Sequence, residues 1–169
     1  MQREEIVDAL TALGKRLSDR EVEGEVYVVG GAAIAIAFDA RRATRDVDAV
    51  FEPKQAIYAA ADEVGSELGL PPGWLNDGVK GFVAGPDADA ATVLEVPGLR
   101  VLVASTRILL AMKVLAHRVG EDDDDVRLLA RELGLTDAEA VLGVADEVYG
   151  ERLDAAARFF VEELFAEKP

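Results

Sequence analysis

The chain contains no cysteine, and its single histidine is His117. Without cysteine there is no disulfide framework and no thiolate zinc site, which fits a reducing compartment. His117 falls within a helical pattern and reads as a helix-face residue rather than a catalytic base. Long apolar runs are absent too, so nothing in the sequence is suited to crossing a bilayer. The opening Met1-Gln2-Arg3-Glu4-Glu5 is charged and lacks the apolar core of a signal peptide. A cytoplasmic protein with no membrane partner is expected. Positive charge is scarce: 18 Lys and Arg stand against 33 Asp and Glu, for a formal net charge of −15. That balance excludes a broad nucleic-acid footprint, which needs a basic surface.

Apolar residues are plentiful. Half of the 169 residues are hydrophobic, enough for one compact domain or two small ones with a real core. Charge is spread unevenly. Residues 120–169 hold 15 acids and 5 bases, whereas 41–54 holds Arg41, Arg42, Arg45 and Lys54. A local basic patch of this kind suits a triphosphate or a nucleic-acid end.

Hydrophobic periodicity divides the chain into a mixed half and a helical half. Ile6, Ala9, Leu10, Leu13 and Leu17 recur at helical spacing, predicting a helix over 3–19. Strands are expected at 25–29 and 46–51, with a helix at 32–38 between them. Pro53 opens a helix to about Leu68, broken by Gly69-Leu70-Pro71-Pro72-Gly73. Residues 74–78 read as a loop, 80–84 as a short strand and 85–89 as a turn. Strands at 92–96 and 99–104 flank the turn dipeptide Pro97-Gly98. Ser105 or Thr106 then caps a helix to about Arg118. Further helices are expected from Glu121–Asp125 to Leu133, from the capping box Thr136-Asp137-Ala138-Glu139 to Val148, and over 152–166. The fold class is therefore α/β (α+β): a small mixed sheet with flanking helices over 1–104, then a C-terminal helical bundle over 105–169.

Two motifs carry the chemistry. Gly30-Gly31 follows the apolar run Val26-Tyr27-Val28-Val29 and precedes a helix. It is either a plain tight turn or a strand-to-helix turn whose N–H groups receive phosphate oxygens. Asp46-Val47-Asp48 opens the second strand, where residues i and i+2 share a face. Val47, Ala49 and Phe51 would fill the core side, leaving the two acids to project from a stiff element. A divalent cation such as Mg2+ is the usual way to hold two such carboxylates together. A two-metal site for phosphoryl transfer normally adds a third carboxylate from a neighbouring strand. Glu95 is the best candidate for it, ahead of Asp87 and Asp89 in a turn. Trp74-Leu75-Asn76-Asp77, with Lys80, is either a cleft loop touching a ribose or acceptor, or a loop pinned by a buried tryptophan.

Residues 26–51, with Arg42-Ala43-Thr44-Arg45-Asp46-Val47-Asp48, resemble the signature of the DNA polymerase β-like nucleotidyltransferase superfamily. The Arg42–Asp48 stretch also resembles its minimal bacterial members, including AbiEii-like toxins of toxin–antitoxin systems. Leu109-Leu110-Ala111-Met112-Lys113, then Ala116-His117-Arg118, then Asp122, Asp125-Val126 and Leu129, resemble that group's later segment. The resemblance implies transfer of a nucleoside monophosphate from an NTP to a hydroxyl acceptor, on a tRNA end, a protein or a small molecule. It implies Mg2+ or Mn2+ at Asp46, Asp48 and Glu95, with the nucleotide at Gly30, Gly31, Arg42, Thr44 and Arg45. Lys113 and Asp125 would join the catalytic cleft, and a cognate antitoxin would be a partner. Other readings of the same residues stand beside these. Lys113 snorkels to solvent in one of them, and the acids at 121–125 stabilise a helix N-terminus. Should Glu95 point away and no other acid reach the pair, the chain would be an incomplete nucleotide-binding or partner-binding module.

Overall fold

The computed structural model describes residues 1–38 and 42–166. The chain divides into two compact units: Met1–Gly81 with Ala88–Ala104, and Phe82–Asp87 with Ser105–Pro169. The class is mixed α/β, with one five-stranded sheet in the first unit and helices in both.

In the first unit the order is α1 (Arg3–Ser18), β1 (Gly24–Val28), α2 (Gly30–Ala37), β2 (Val47–Glu52), α3 (Lys54–Leu68), β3 (Leu75–Asn76), β4 (Ala91–Val96) and β5 (Leu99–Val103). The sheet order is β3-β2-β1-β5-β4. β1 runs antiparallel to β2 and parallel to β5, β2 is parallel to β3, and β4 is antiparallel to β5. Strict alternation explains the layering. Val26, Val28, Val47, Ala49, Phe51, Val101 and Val103 are buried on one face. The other face carries Glu25, Tyr27, Asp48, Val50, Glu52, Arg100 and Leu102, half-buried or exposed. A Cβ on Gly24, which lies on the apolar face, would touch Leu17 of α1 and Ile57 of α3. α1 and α3 also pack on each other. Ile6, Leu10, Leu13 and Leu17 are almost wholly buried, each worth about 1.5–3 kcal/mol of burial.

The second unit comprises α4 (Thr106–Ala116), α5 (Asp123–Glu132), α6 (Ala138–Tyr149) and α7 (Ala155–Ala166). α4 packs against each of the other three helices, and α6 against α7. The stretch Phe82–Asp87 makes two polar contacts with the rest of this unit. The Tyr149 hydroxyl donates to the Phe82 carbonyl at 2.5 Å, and the Ser105 N–H donates to Asp87 Oδ2 at 2.7 Å. No helix among the described residues is long and apolar enough to cross a membrane.

Several elements depart from the sequence reading for local reasons. Residues 75–76, expected in a loop, pair with Val47 and Asp48 as an edge strand. Lys80–Phe82 forms a 3-10 turn rather than a strand, and its residues are all exposed, so there is no face to bury. α4 ends at Ala116 because His117 takes a left-handed φ of 35° as its C-cap. α6 starts on Asp137, whose side chain accepts from the Ala140 N–H at 2.9 Å, rather than on a Thr136–Glu139 box.

Candidate functional site

Asp48 lies on β2 and Asp46 on the bend that leads into it, both half-buried. The chain is drawn into place by a ladder on each side. The Val29 N–H donates to the Asp48 carbonyl at 2.9 Å from the β1 side, and the Val47 N–H donates to the Trp74 carbonyl from the β3 side. Asp48 pairs in register with Asn76, so their side chains share a face. The Asn76 amide donates to Asp46 Oδ2 at 3.2 Å. The Asn76 side chain thus contacts one acid and shares a face of the sheet with the other.

The glycine turn stands against Asp48. Gly30 has φ of +64°, where glycine is favoured, and a Cβ built on it would lie 3.5 Å from Asp48 Oδ2. Its neighbour Gly31 leaves room for Thr44, whose Oγ1 would sit 3.2 Å from an added Cβ. Thr44 in turn donates from its hydroxyl to the Asp46 carbonyl at 3.0 Å, and its N–H donates to the Met1 carbonyl at 2.8 Å. α2 begins at this turn on Val29, with no side-chain cap. Its leading N–H groups are the kind that receive anions. Arg42, half-buried, and Arg45, exposed, flank Thr44 on the segment leading to Asp46. Arg41 lies outside the described residues.

The element beyond Asn76 is braced from three directions. Trp74 is 2% exposed, and its indole N–H donates to the Ala61 carbonyl at 2.9 Å. Tyr58 donates to Asp77 Oδ1 at 2.6 Å, Lys54 forms an ion pair with the other oxygen of Asp77, and the Asp77 N–H donates back to the Tyr58 hydroxyl at 3.3 Å. Hydrogen bonds from Lys54 and Tyr58 hold the Asp77 carboxyl below its ordinary range. Trp74 is therefore an anchor and Asp77 a brace. Asn76 alone of this stretch turns its side chain to the acid pair.

Glu95 does not join the pair, which corrects the expected third ligand. It is exposed and pairs with Arg100, Arg100 pairs with Glu25, and Glu25 with Glu52. That row crosses β2 four residues from Asp48, about 13 Å along the strand, and Glu95 stands three strands away, about 14 Å across. It borders a shallow hollow with Glu23, Glu25, Glu52 and Arg100 instead. Asp87 accepts from Ser105, and Asp89 is exposed. Among the described residues no group of three His, Cys, Asp or Glu is placed to hold a metal.

Lys113 and Asp125 belong to the second unit, where they form a different kind of site. Lys113 Nζ contacts Asp122 Oδ1 at 2.6 Å and Asp125 Oδ2 at 2.8 Å. Arg118 reaches Asp122 through Nε at 3.0 Å, a second guanidinium nitrogen at 3.0 Å and its backbone N–H at 3.3 Å. Asp122 is 0%, Asp125 5% and Lys113 8% exposed. Lys113 does not snorkel, and Asp122 is no solvated cap. Burial alone would push the Asp122 carboxyl up, but the hydrogen bonds from Arg118 and Lys113 outweigh it and hold the group below its ordinary value. Asp124 remains exposed, and Asp123 accepts from the Gly120 N–H at 2.8 Å. His117 is a C-cap whose Nδ1 lies 2.9 Å from the Leu115 carbonyl.

The sequence reading names Lys113 and Asn76 without the contacts that the structure gives them. Lys113 follows Leu109 by four and Leu110 by three, so it had to share their buried stripe and needed acids there. Asn76 is the first polar residue after a tryptophan anchor, which fixes its place. Comparison with family models, with curated proteins and with solved structures finds no match to this chain.

Proposed function

We propose that the first unit transfers a nucleoside monophosphate from an NTP to a hydroxyl acceptor. The observation that carries this reading is the adjacency of a left-handed glycine turn, a helix N-terminus and the Asp46–Asp48 pair on one side of the sheet. An acceptor hydroxyl oxygen bonds to the α-phosphorus, the α–β bridging bond breaks and pyrophosphate leaves, with the hydroxyl proton passing to solvent. Asp46 and Asp48 would hold Mg2+ or Mn2+, and the donor set fits, because Mg2+ is commonly bound by one or two carboxylates together with substrate phosphates. The bound cation would supply charge neutralisation for the phosphates. Gly30 and Gly31 present backbone N–H groups without Cβ obstruction, which orients the outer phosphates. Arg42 and Arg45 stand on the segment leading to the acids and supply positive charge for the leaving pyrophosphate. Thr44 ties that segment to the Asp46 backbone.

The sequence resemblance supports a finer proposal, a toxin whose acceptor is a tRNA end, a protein or a small molecule, and whose partner is a cognate antitoxin. The test combines α-labelled NTPs, Mg2+ or Mn2+, and total tRNA or cell lysate. Label appearing on an acceptor with wild type and vanishing with Asp48→Ala supports the transferase. For the toxin, induced expression should arrest growth with wild type and not with Asp48→Ala.

One observation favours a second reading, a nucleotide-binding or partner-binding module. The third carboxylate expected at Glu95 is remote from the pair. NTP binding without label on any acceptor would select this reading. Absence of both binding and transfer would reject the two together.

A further inference from the structure

β2 has two neighbours in the sheet, β1 and β3. On the β1 side, the place beside Asp48 is where Val29 leads into the glycine turn. On the β3 side it is Asn76. A third carboxylate contributed by a neighbouring strand would therefore stand at position 76, and this chain has an amide there.

That amide is fixed at both ends. Its oxygen accepts from the Gly78 N–H at 3.0 Å, which turns its NH2 toward Asp46 Oδ2. The residues around it are anchored as well: Trp74 in the core, and Asp77 between Tyr58 and Lys54. A rigid neutral donor orients a carboxylate without adding to the repulsion within an acid pair. It also leaves the pair one negative charge short of a trio. A divalent cation then gains less from the protein alone, and more when phosphate oxygens arrive with it.

We propose that Asn76 is the positioning residue of the acid pair, and that its neutrality makes the site take its cation as a metal–triphosphate complex rather than as the bare ion. This rests on the nucleotidyl-transfer reading and concerns how that same site is loaded.

The test uses the full chain with two probes, Mn2+ alone and preformed Mn2+–tripolyphosphate, followed by titration calorimetry and thermal melting. Wild type should bind Mn2+ alone at about millimolar strength, and the complex about tenfold or more tighter. Asn76→Asp keeps an acceptor for Gly78 and replaces the donor by a third carboxylate. It should bind Mn2+ alone about tenfold tighter than wild type. Its metal-free Tm should be lower than wild type and be restored by Mn2+, a response that a purely structural role would not give. Asn76→Ser removes the donor with little change in bulk, and should weaken binding of the complex about fivefold.

Equal affinity of wild type for the two probes would overturn the loading order. Unchanged Mn2+ binding in folded Asn76→Asp would overturn the placement of Asn76 beside the cation, as would unchanged binding of the complex in Asn76→Ser should the first variant not fold. Either result leaves binding that Asp48→Ala still abolishes, so the transfer reading survives it. Wild type and Asp48→Ala binding the complex equally poorly would overturn that reading and this proposal together.

Discussion

Each unit contains a pair of aspartates near in sequence, and the two pairs have different surroundings. In the first unit Asp46 and Asp48 are half-buried, Asp46 is held by a neutral amide, and the backbone of a glycine turn lies against Asp48. In the second unit Asp122 and Asp125 are almost fully buried and share the ammonium of Lys113, with Arg118 completing the contacts of Asp122. A closed set of this kind is neutralised by the protein itself. The first pair instead adjoins the glycine turn and the N-terminus of α2. The sequence marks both with the same letters, Asp-x-Asp and a run of Asp, and only the surroundings separate a half-buried pair from a buried polar joint.

The largest expected effect separates the two pairs through activity. Asp48→Asn or Asp46→Asn should lower label transfer about 10³-fold while the urea midpoint shifts by the equivalent of less than about 1 kcal/mol. Asp122→Asn should do the reverse, with a large loss of stability. A comparable loss of stability in all three variants would erase the distinction.

Lys113→Met tests the closed pair directly. The substitution preserves bulk and leaves Asp125 facing an apolar side chain inside the second unit. Removing one partner of a buried ion pair costs about 3–5 kcal/mol. Arg118 still serves Asp122, so the lower end of that range is expected in urea unfolding. A change below about 0.5 kcal/mol would mean that the cluster is solvated and behaves like a surface pair.

The cluster also has an acid limit. The folded Asp122 carboxyl lies below its unfolded value of about 3.9. The folded state therefore binds fewer protons than the unfolded one in that range, and stability rises with pH there. The contribution is fully present above about pH 4 and is lost as pH falls through the folded value. Asp146, paired through both oxygens with Arg158 and shifted the same way by that contact, is partly exposed and adds less. A plot of unfolding free energy against pH should be steeper below pH ~4 for wild type than for Asp122→Asn.

How much of this was written in the sequence differs between the two pairs. Alternation around Val47, Ala49 and Phe51 was enough to place Asp48 on the polar side of a strand, because the period of a strand is a local property. Helical spacing located α1, α3 and the four helices of the second unit within a few residues. Strand pairing is not local. Glu95 reads as a strand carboxylate in either register, and only the order β3-β2-β1-β5-β4 reveals that it lies at the far corner of the sheet. Asn76 reads as a loop residue for the complementary reason, since a two-residue edge strand has no periodicity to detect. The joint at Lys113 was half legible. A lysine on an apolar stripe signals a buried partner, but which of the consecutive acids at 121–125 meets it depends on where α4 stops. That stop is set by the left-handed turn at His117, a conformation seldom assigned to histidine from sequence.

The smallest expected effect concerns a neutral group that follows the same logic of closure. Tyr149 is 5% exposed, and its hydroxyl donates to the Phe82 carbonyl. Burial raises its pKa to about 12, against a smaller lowering by Arg152, whose guanidinium lies 5.2 Å from the ring centre. Because the folded value exceeds the unfolded one near 10, this contribution is complete below pH ~10 and fades as pH rises toward 12. Absorbance titration near 295 nm should show Tyr149 among the last of the three tyrosines to ionise, and Tyr149→Phe should delete that late step. The variant should lose only about 1 kcal/mol, since the ring stays in place and one hydrogen bond to the 82–87 stretch is removed. Ionisation of all three tyrosines near pH 10 in the folded chain would show that the second unit admits water at Tyr149. The contrast between a half-buried first-unit pair and a closed second-unit interior would then fail at this position.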